Sequence, residues 1–182
     1  MADTGNLLIE GVKNGSFAGV ANLPYGETAF GQATGRCSDG LLMIDYIARD
    51  LGLPLLNPYL DKQANFDNGV NFAVAGATAL DRSFFAQEAT LPPFTSSSLG
   101  VQFGWFKDYL KTICSSQEDC ALVINNALFF VGEIGSNDYI YALVARQTIK
   151  EVHQMIPVVV QKIISVARVI SFFHLFMHQM YV

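Results

Sequence analysis

The chain has 182 residues, 51% of them hydrophobic and 15% charged, with a formal net charge of −5. That length suits one domain with a single core, and the composition is that of a globular chain and not a disordered one. The excess of carboxylates argues against nucleic-acid binding, which needs clustered Lys and Arg to neutralise phosphates.

Residues 7–36 are rich in Gly and Asn, with Pro24 among them, and read as a long surface loop beside a cleft. From Leu41 to Leu51 apolar residues recur at helical spacing, with Ser38 or Asp39 as the natural N-cap and Gly52 as the stop. Pro54 to Leu60 reads as a short strand entry ending at Asn57-Pro58, and Asn71 to Ala77 as a compact small-residue segment in which Gly76 permits close backbone approach. A Pro/Ser loop from Leu91 to Ser98 leads into a helix over about Leu99 to Thr112. Its apolar face includes Val101, Trp105, Phe106, Tyr109 and Leu110. Ala127 to Ile134 is apolar almost throughout and predicts a parallel strand covered on both faces. Ile149 to Ile170 then predicts a long helix, kinked or begun at Pro157. Helices alternating with strands argue an α/β fold with a parallel sheet.

The predicted strand 127–134 delivers Asn137 and Asp138 just past its end, where ligands bind in open α/β sheets. A fixed Asn amide there can donate to a developing oxyanion, worth roughly 3–4 kcal/mol in acyl transfer; an Asn/Asp turn is the plainer alternative. Ser136 lies between Gly135 and Asn137 but has no His placed to activate it, so it is not read as a nucleophile. Cys114 and Cys120 bracket a short polar loop at a spacing compatible with one small disulfide, leaving Cys37 as a buried apolar residue or a free thiol. No second Cys or His pair lies at zinc-ligand spacing, and His174 with His178, on one helix face, lack a third ligand. His153 reads as a surface residue. Asn14-Gly15-Ser16 is a glycosylation sequon, meaningful in the secretory pathway. Met1 runs into Asp3 with no charged start or apolar run, so no signal peptide is visible.

Four blocks carry a resemblance. They are Asp3-Thr4-Gly5-Asn6, Thr34-Gly35-Arg36-Cys37-Ser38-Asp39-Gly40, Gly69-Val70-Asn71-Phe72-Ala73-Val74-Ala75-Gly76-Ala77-Thr78, and Gly135-Ser136-Asn137-Asp138. In this order and spacing the chain resembles the plant GDSL esterase/lipase family, a branch of the SGNH hydrolases, and most of all its acetylated-alkaloid and sinapate-ester esterases. The resemblance runs from Ala2 to about Ser165. It implies a partial GDSL/SGNH hydrolase domain over 1–165 and a divergent apolar tail over 166–182. It also implies a flavodoxin-like three-layer α/β/α sandwich with a parallel sheet, here incomplete, its first and C-terminal strands missing.

The family pattern further implies a Ser-His-Asp hydrolase of small acyl esters that uses no metal or organic cofactor. Gly76 and Asn137 take the oxyanion-hole positions, and Asp3, Gly5 and Asn6 are what remains of the first block. The resemblance also supports the pairing of Cys114 with Cys120. The family's first block reads Gly-Asp-Ser, two residues, then Asp-Thr-Gly-Asn, so the nucleophile would fall immediately before Met1. No Asp-x-x-His pair occurs in the 182 residues. The expectation is a truncated carboxylic ester hydrolase, inactive as written, from a family that is secreted. Two other classes are weighed beside it. One is a non-catalytic fragment that binds a ligand or partner, pairing with the full-length paralogue. The other is a membrane-associated helical protein. Lys162 and Arg168 interrupt the apolar run from Ile156 to Met177, and a charge at mid-bilayer costs roughly 3 kcal/mol, so an amphipathic helix is expected over a spanning one.

Overall fold

A computed structural model describes residues 2–13, 19–87 and 92–179. The chain divides into two compact units, Met1–Gly76 and Ala77–Val182.

The first unit is built mainly of turns around short helices. Helix α1 spans Asn6–Lys13, α2 spans Glu27–Phe30 and α3 spans Met43–Asp50, with a 3₁₀ turn at Gly19–Ala21. The long loop expected over 7–36 is therefore broken by helical turns. The reason for α1 lies just ahead of it: the Asp3 carboxylate accepts the N–H groups of Gly5, Asn6 and Leu7, which no helical carbonyl could satisfy. Helix α3 starts later than the Ser38/Asp39 cap would place it. Ser38 instead closes a local turn by accepting the Gly40 N–H, while Asp45 accepts the N–H of Leu42 and so begins the helix there. Gly52, at φ +69, ends it. Strand β1, Asn57–Pro58, pairs in parallel with β2, Val70–Asn71, in the register Asn57 to Val70 and Pro58 to Asn71. The architecture is α/β, with a small parallel sheet and many helices.

The second unit is helical. Helices α4 (Arg82–Gln87), α5 (Leu99–Ile113), α6 (Gln117–Asn125), α7 (Ser136–Val144) and α8 (Ile149–Gln179) follow in chain order. Ser98 caps α5 by accepting the Val101 N–H, and the helix buries Leu99, Gln102 and Phe106; Val101, expected on the apolar face, is exposed. Thr148 and Glu151 cap α8 reciprocally: the Thr148 N–H donates to Glu151 and the Glu151 N–H to the Thr148 hydroxyl. Pro157 lies inside α8 and neither starts nor ends it. The helix buries Val152, Met155, Val159 and Val166, a helical stripe, and the first three pack in one cluster with Phe85, Ala79, Leu80 and Ala142. Its other side is also apolar, with Ile156, Val158, Val160 and Val169 exposed. By length and composition alone, Ile149–Ser171 could cross a membrane. The backbone of the apolar tail continues α8 as far as Gln179.

The predicted strand at Ala127 to Ile134 is not formed. Among the described residues it has no ladder partner, and Leu128 and Phe130 are 66% and 52% exposed. Its apolar run records a preference for burial between layers, but a strand exists only through hydrogen bonds to a neighbour. Consequently Asn137 does not follow a strand end. It sits in the first turn of α7, after Gly135 at φ +113. A β-carbon at Gly135 would lie 3.1 Å from Val159 and 3.3 Å from Ile163, so glycine is required both for the turn and for the close approach of α8.

Candidate active site

Asp3, Asn6 and Asn71 make a closed polar network in the first unit. One Asp3 oxygen accepts from Gly5 at 2.8 Å and Asn6 at 2.7 Å; the other accepts from Leu7 at 3.0 Å and Ala75 at 2.8 Å. Burial pushes the Asp3 carboxyl above its usual range, and these four N–H donors pull it part of the way back. The Asn6 amide donates to the carbonyls of Asn71 and Ala73 and accepts the N–H of Leu60 at 2.9 Å. Asn71 in turn donates to the Ala2 carbonyl and accepts the Ala73 N–H. The first block is thus stitched to 71–75, the stretch that ends in Gly76. Gly76 itself stands at φ +79, a left-handed conformation that a side chain would resist.

The second block serves this unit through an ion pair. Arg36 donates to both Asp45 oxygens at 2.8 and 2.9 Å, with both side chains buried, and its guanidinium lies 5.0 Å from the centre of the Phe30 ring. Cys37 is a free, half-buried thiol. Burial, and then the Asp3 charge, push its pKa upward, which disfavours the reactive thiolate. A cavity of about 370 Å³ has Thr4, Gly5, Thr34, Asn57 and Asp61 among its polar walls and Leu8 and Leu55 among its apolar ones. The buried Thr4 hydroxyl finds no hydrogen-bond partner among the described residues.

In the second unit Asn137 and Asp138 meet residues 77–80. The Asn137 amide donates to the Ala77 carbonyl at 2.8 Å. Asp138 is wholly buried, and its two oxygens accept the N–H groups of Ala79 at 2.8 Å and Leu80 at 2.9 Å. Burial pushes its carboxyl upward against the pull of those donors. A turn role, the plain expectation for an Asp after Asn, understates a residue that docks one end of α7. The signal available in the sequence was the Asn-Asp pair itself, which does not tell an exposed turn from a buried clamp. Ser136 is exposed, and its hydroxyl donates to Glu133 at 2.7 Å.

A disulfide joins Cys114 to Cys120 across the start of α6. Asn14 lies outside the described residues. His153 is exposed on α8; the backbones of His174 and His178 fall in that helix, and their side chains are not described. Among the described residues, no three His, Cys, Asp or Glu side chains are grouped to hold a metal ion.

Comparison with known proteins places this α/β chain with plant ester hydrolases. It belongs to the GDSL-like lipase/acylhydrolase family, whose model matches residues 3–177. The chain is 48% identical over 167 residues to acetylajmalan esterase of Rauvolfia serpentina, covering 92% of this chain and 43% of that protein. It is 49% identical over 167 residues to a GDSL esterase/lipase of Arabidopsis thaliana, covering 91% of this chain and 42% of that protein. The chain therefore spans less than half the length of these relatives. No solved structure matches it.

Proposed function

We propose that these residues form the oxyanion-stabilising part of a carboxylic ester hydrolase acting on small acyl esters, acetyl esters in particular. The observation that carries this reading is the ordered set of four blocks within a family match over residues 3–177, at 48% identity to a protein named for acetyl ester cleavage. In the family arrangement a Ser oxygen attacks the ester carbonyl, His takes the proton and Asp orients the His. Gly76 through its N–H and Asn137 through its amide would stabilise the tetrahedral oxyanion. The Asn137 contact to Ala77 supports that role, since an amide held by a carbonyl enters the reaction already oriented. The proposed parent fold is a flavodoxin-like three-layer sandwich, in which the apolar run 127–134 joins a parallel sheet. The Cys114–Cys120 disulfide supports a secretory location, where such bonds persist.

The 182 residues hold neither the first-block Ser nor an Asp-x-x-His pair. Incubated with an activated acetyl ester, a polypeptide of these residues alone is expected to match the buffer rate. Joined to the flanking segments of acetylajmalan esterase, it is expected to hydrolyse that ester. Asn137→Ala should then reduce kcat by about 10²–10³, as loss of one oxyanion donor does elsewhere. Hydrolysis by the isolated chain, abolished by a change within it, would overturn the proposal.

A further inference from the structure

Residues 74–80 are neither helix nor strand, yet all but Gly76 are less than a tenth exposed, from Val74 and Ala75 to Ala77, Thr78, Ala79 and Leu80. Irregular backbone normally stays at the surface, because buried N–H and C=O groups need partners that only regular ladders supply in bulk. Here side chains supply them. Within the first unit the Ala75 N–H donates to Asp3 at 2.8 Å. Within the second unit the Ala79 and Leu80 N–H groups donate to Asp138, and the Ala77 carbonyl accepts from Asn137. Both carboxylates are almost fully enclosed, 2% exposed for Asp3 and 0% for Asp138. An enclosed carboxylate is costly unless donors surround it, so two of them spent on one irregular stretch call for a purpose beyond closing a turn.

We propose that Asp3 and Asp138 are positioning residues for the two oxyanion donors. Asp3 fixes the main chain at Ala75 and with it the direction of the next N–H, that of Gly76. Asp138 fixes the first turn of α7. Asn137 precedes it directly, so a main-chain rotation of that turn that carried the Asn137 amide away from Ala77 would also tear Asp138 from two N–H groups. An amide nitrogen carries two hydrogens, and holding one on Ala77 sets the direction of the other. This inference rests on the reading of Gly76 and Asn137 as oxyanion donors.

The test uses the isotopically labelled 182-residue chain and amide hydrogen exchange by NMR. In Asp138→Asn, exchange of the Asn137 side-chain amide should quicken by about tenfold or more while the main-chain amides of Val152 and Val159, deep in α8, keep their rates. In Asp3→Asn the same should hold for the Gly76 main-chain amide, with Asn137 unaffected. A uniform quickening across a unit, unchanged rates at both sites, or loss of folding in both Asn variants would overturn the proposal and assign the carboxylates to stability alone. In the chimaera with acetylajmalan esterase segments, each Asn variant should lower kcat by about tenfold and leave KM within about twofold, the mark of a lost transition-state interaction. A chimaera inactive with Asp3 and Asp138 intact overturns the ester-hydrolase reading instead, and the exchange rates still decide this one.

Discussion

The two units differ in how much charge they enclose: Asp3, Arg36 and Asp45 are buried in the first, and Asp138 in the second. In Met1–Gly76 the enclosed groups include Asp3, Asn6, Arg36, Asp45 and Asn71, all charged or amide. In Ala77–Val182 the centre is Phe85, Ala142, Met155 and Val159. The difference follows from the backbone. Helices satisfy their own N–H and C=O groups, so a helical unit can close around hydrocarbon. The first unit runs mostly through turns, and its main-chain groups reach for side chains such as Asp3 and Asn6. Where the second unit leaves helical geometry, at 77–80, it also resorts to a buried carboxylate, Asp138. Local backbone irregularity, more than position in the chain, decides where polar groups are enclosed.

If that contrast is right, the largest single loss should come from the first unit's ion pair. Arg36→Ala leaves Asp45 buried and alone, and should cost about 3–5 kcal/mol in a denaturant titration. Met155→Ala should cost less, about 2–3 kcal/mol, near the low end for buried truncations because the far side of α8 is open to solvent and can relax. A greater loss for Met155 than for Arg36 would reverse the ranking of the units. Reducing the Cys114–Cys120 bond, which closes a short loop, should lower stability by about 2 kcal/mol in the second unit, read from the midpoint with and without reductant.

Smaller effects sharpen the contrast through pH. Burial raises the Asp138 carboxyl above its ordinary 3.8, so the proton is held more tightly in the folded chain than in the unfolded one. The stabilisation of the protonated form is complete below 3.8 and is lost as pH rises through the raised value. Relative to Asp138→Asn, the unfolding midpoint of the unmodified chain should therefore decline as pH increases above 3.8 and through the raised value. Asp81 works in the other direction. The Ser98 hydroxyl, and then Lys162, hold its carboxyl below the usual range, so its contribution is present above 3.8 and disappears as pH falls through the lowered value. Asp81 is half-exposed, so Lys162→Met should cost less than about 1 kcal/mol at neutral pH and progressively less in acid.

Helices α5 and α8 were legible in advance because their signals are local: a Pro/Ser loop that ends at Ser98, and apolar residues at helical spacing. Helix α1 was hidden because the Gly and Asn content of 7–36 reads as a loop, although Asp3 stands ready to cap the turn that follows. The start of α3 was misplaced because Ser38 and Asp39 are good caps in isolation, while Asp45, fastened to Arg36, governs the entry. The run 127–134 misled for a different reason. Apolar character reports what a segment would bury, whereas strand formation needs a neighbour at hydrogen-bonding distance.

From its residues alone the chain declared an α/β composition, four ordered blocks and thereby its family. Those are properties of identity and spacing, which survive without coordinates. Only tertiary structure revealed that Asp3 lies enclosed against Ala75, that Asp138 lies enclosed against Ala79 and Leu80, and that Arg36 takes Asp45. A carboxylate has the same letter in a solvated turn and in a core; burial and the direction of its donors come from chain segments tens of residues away.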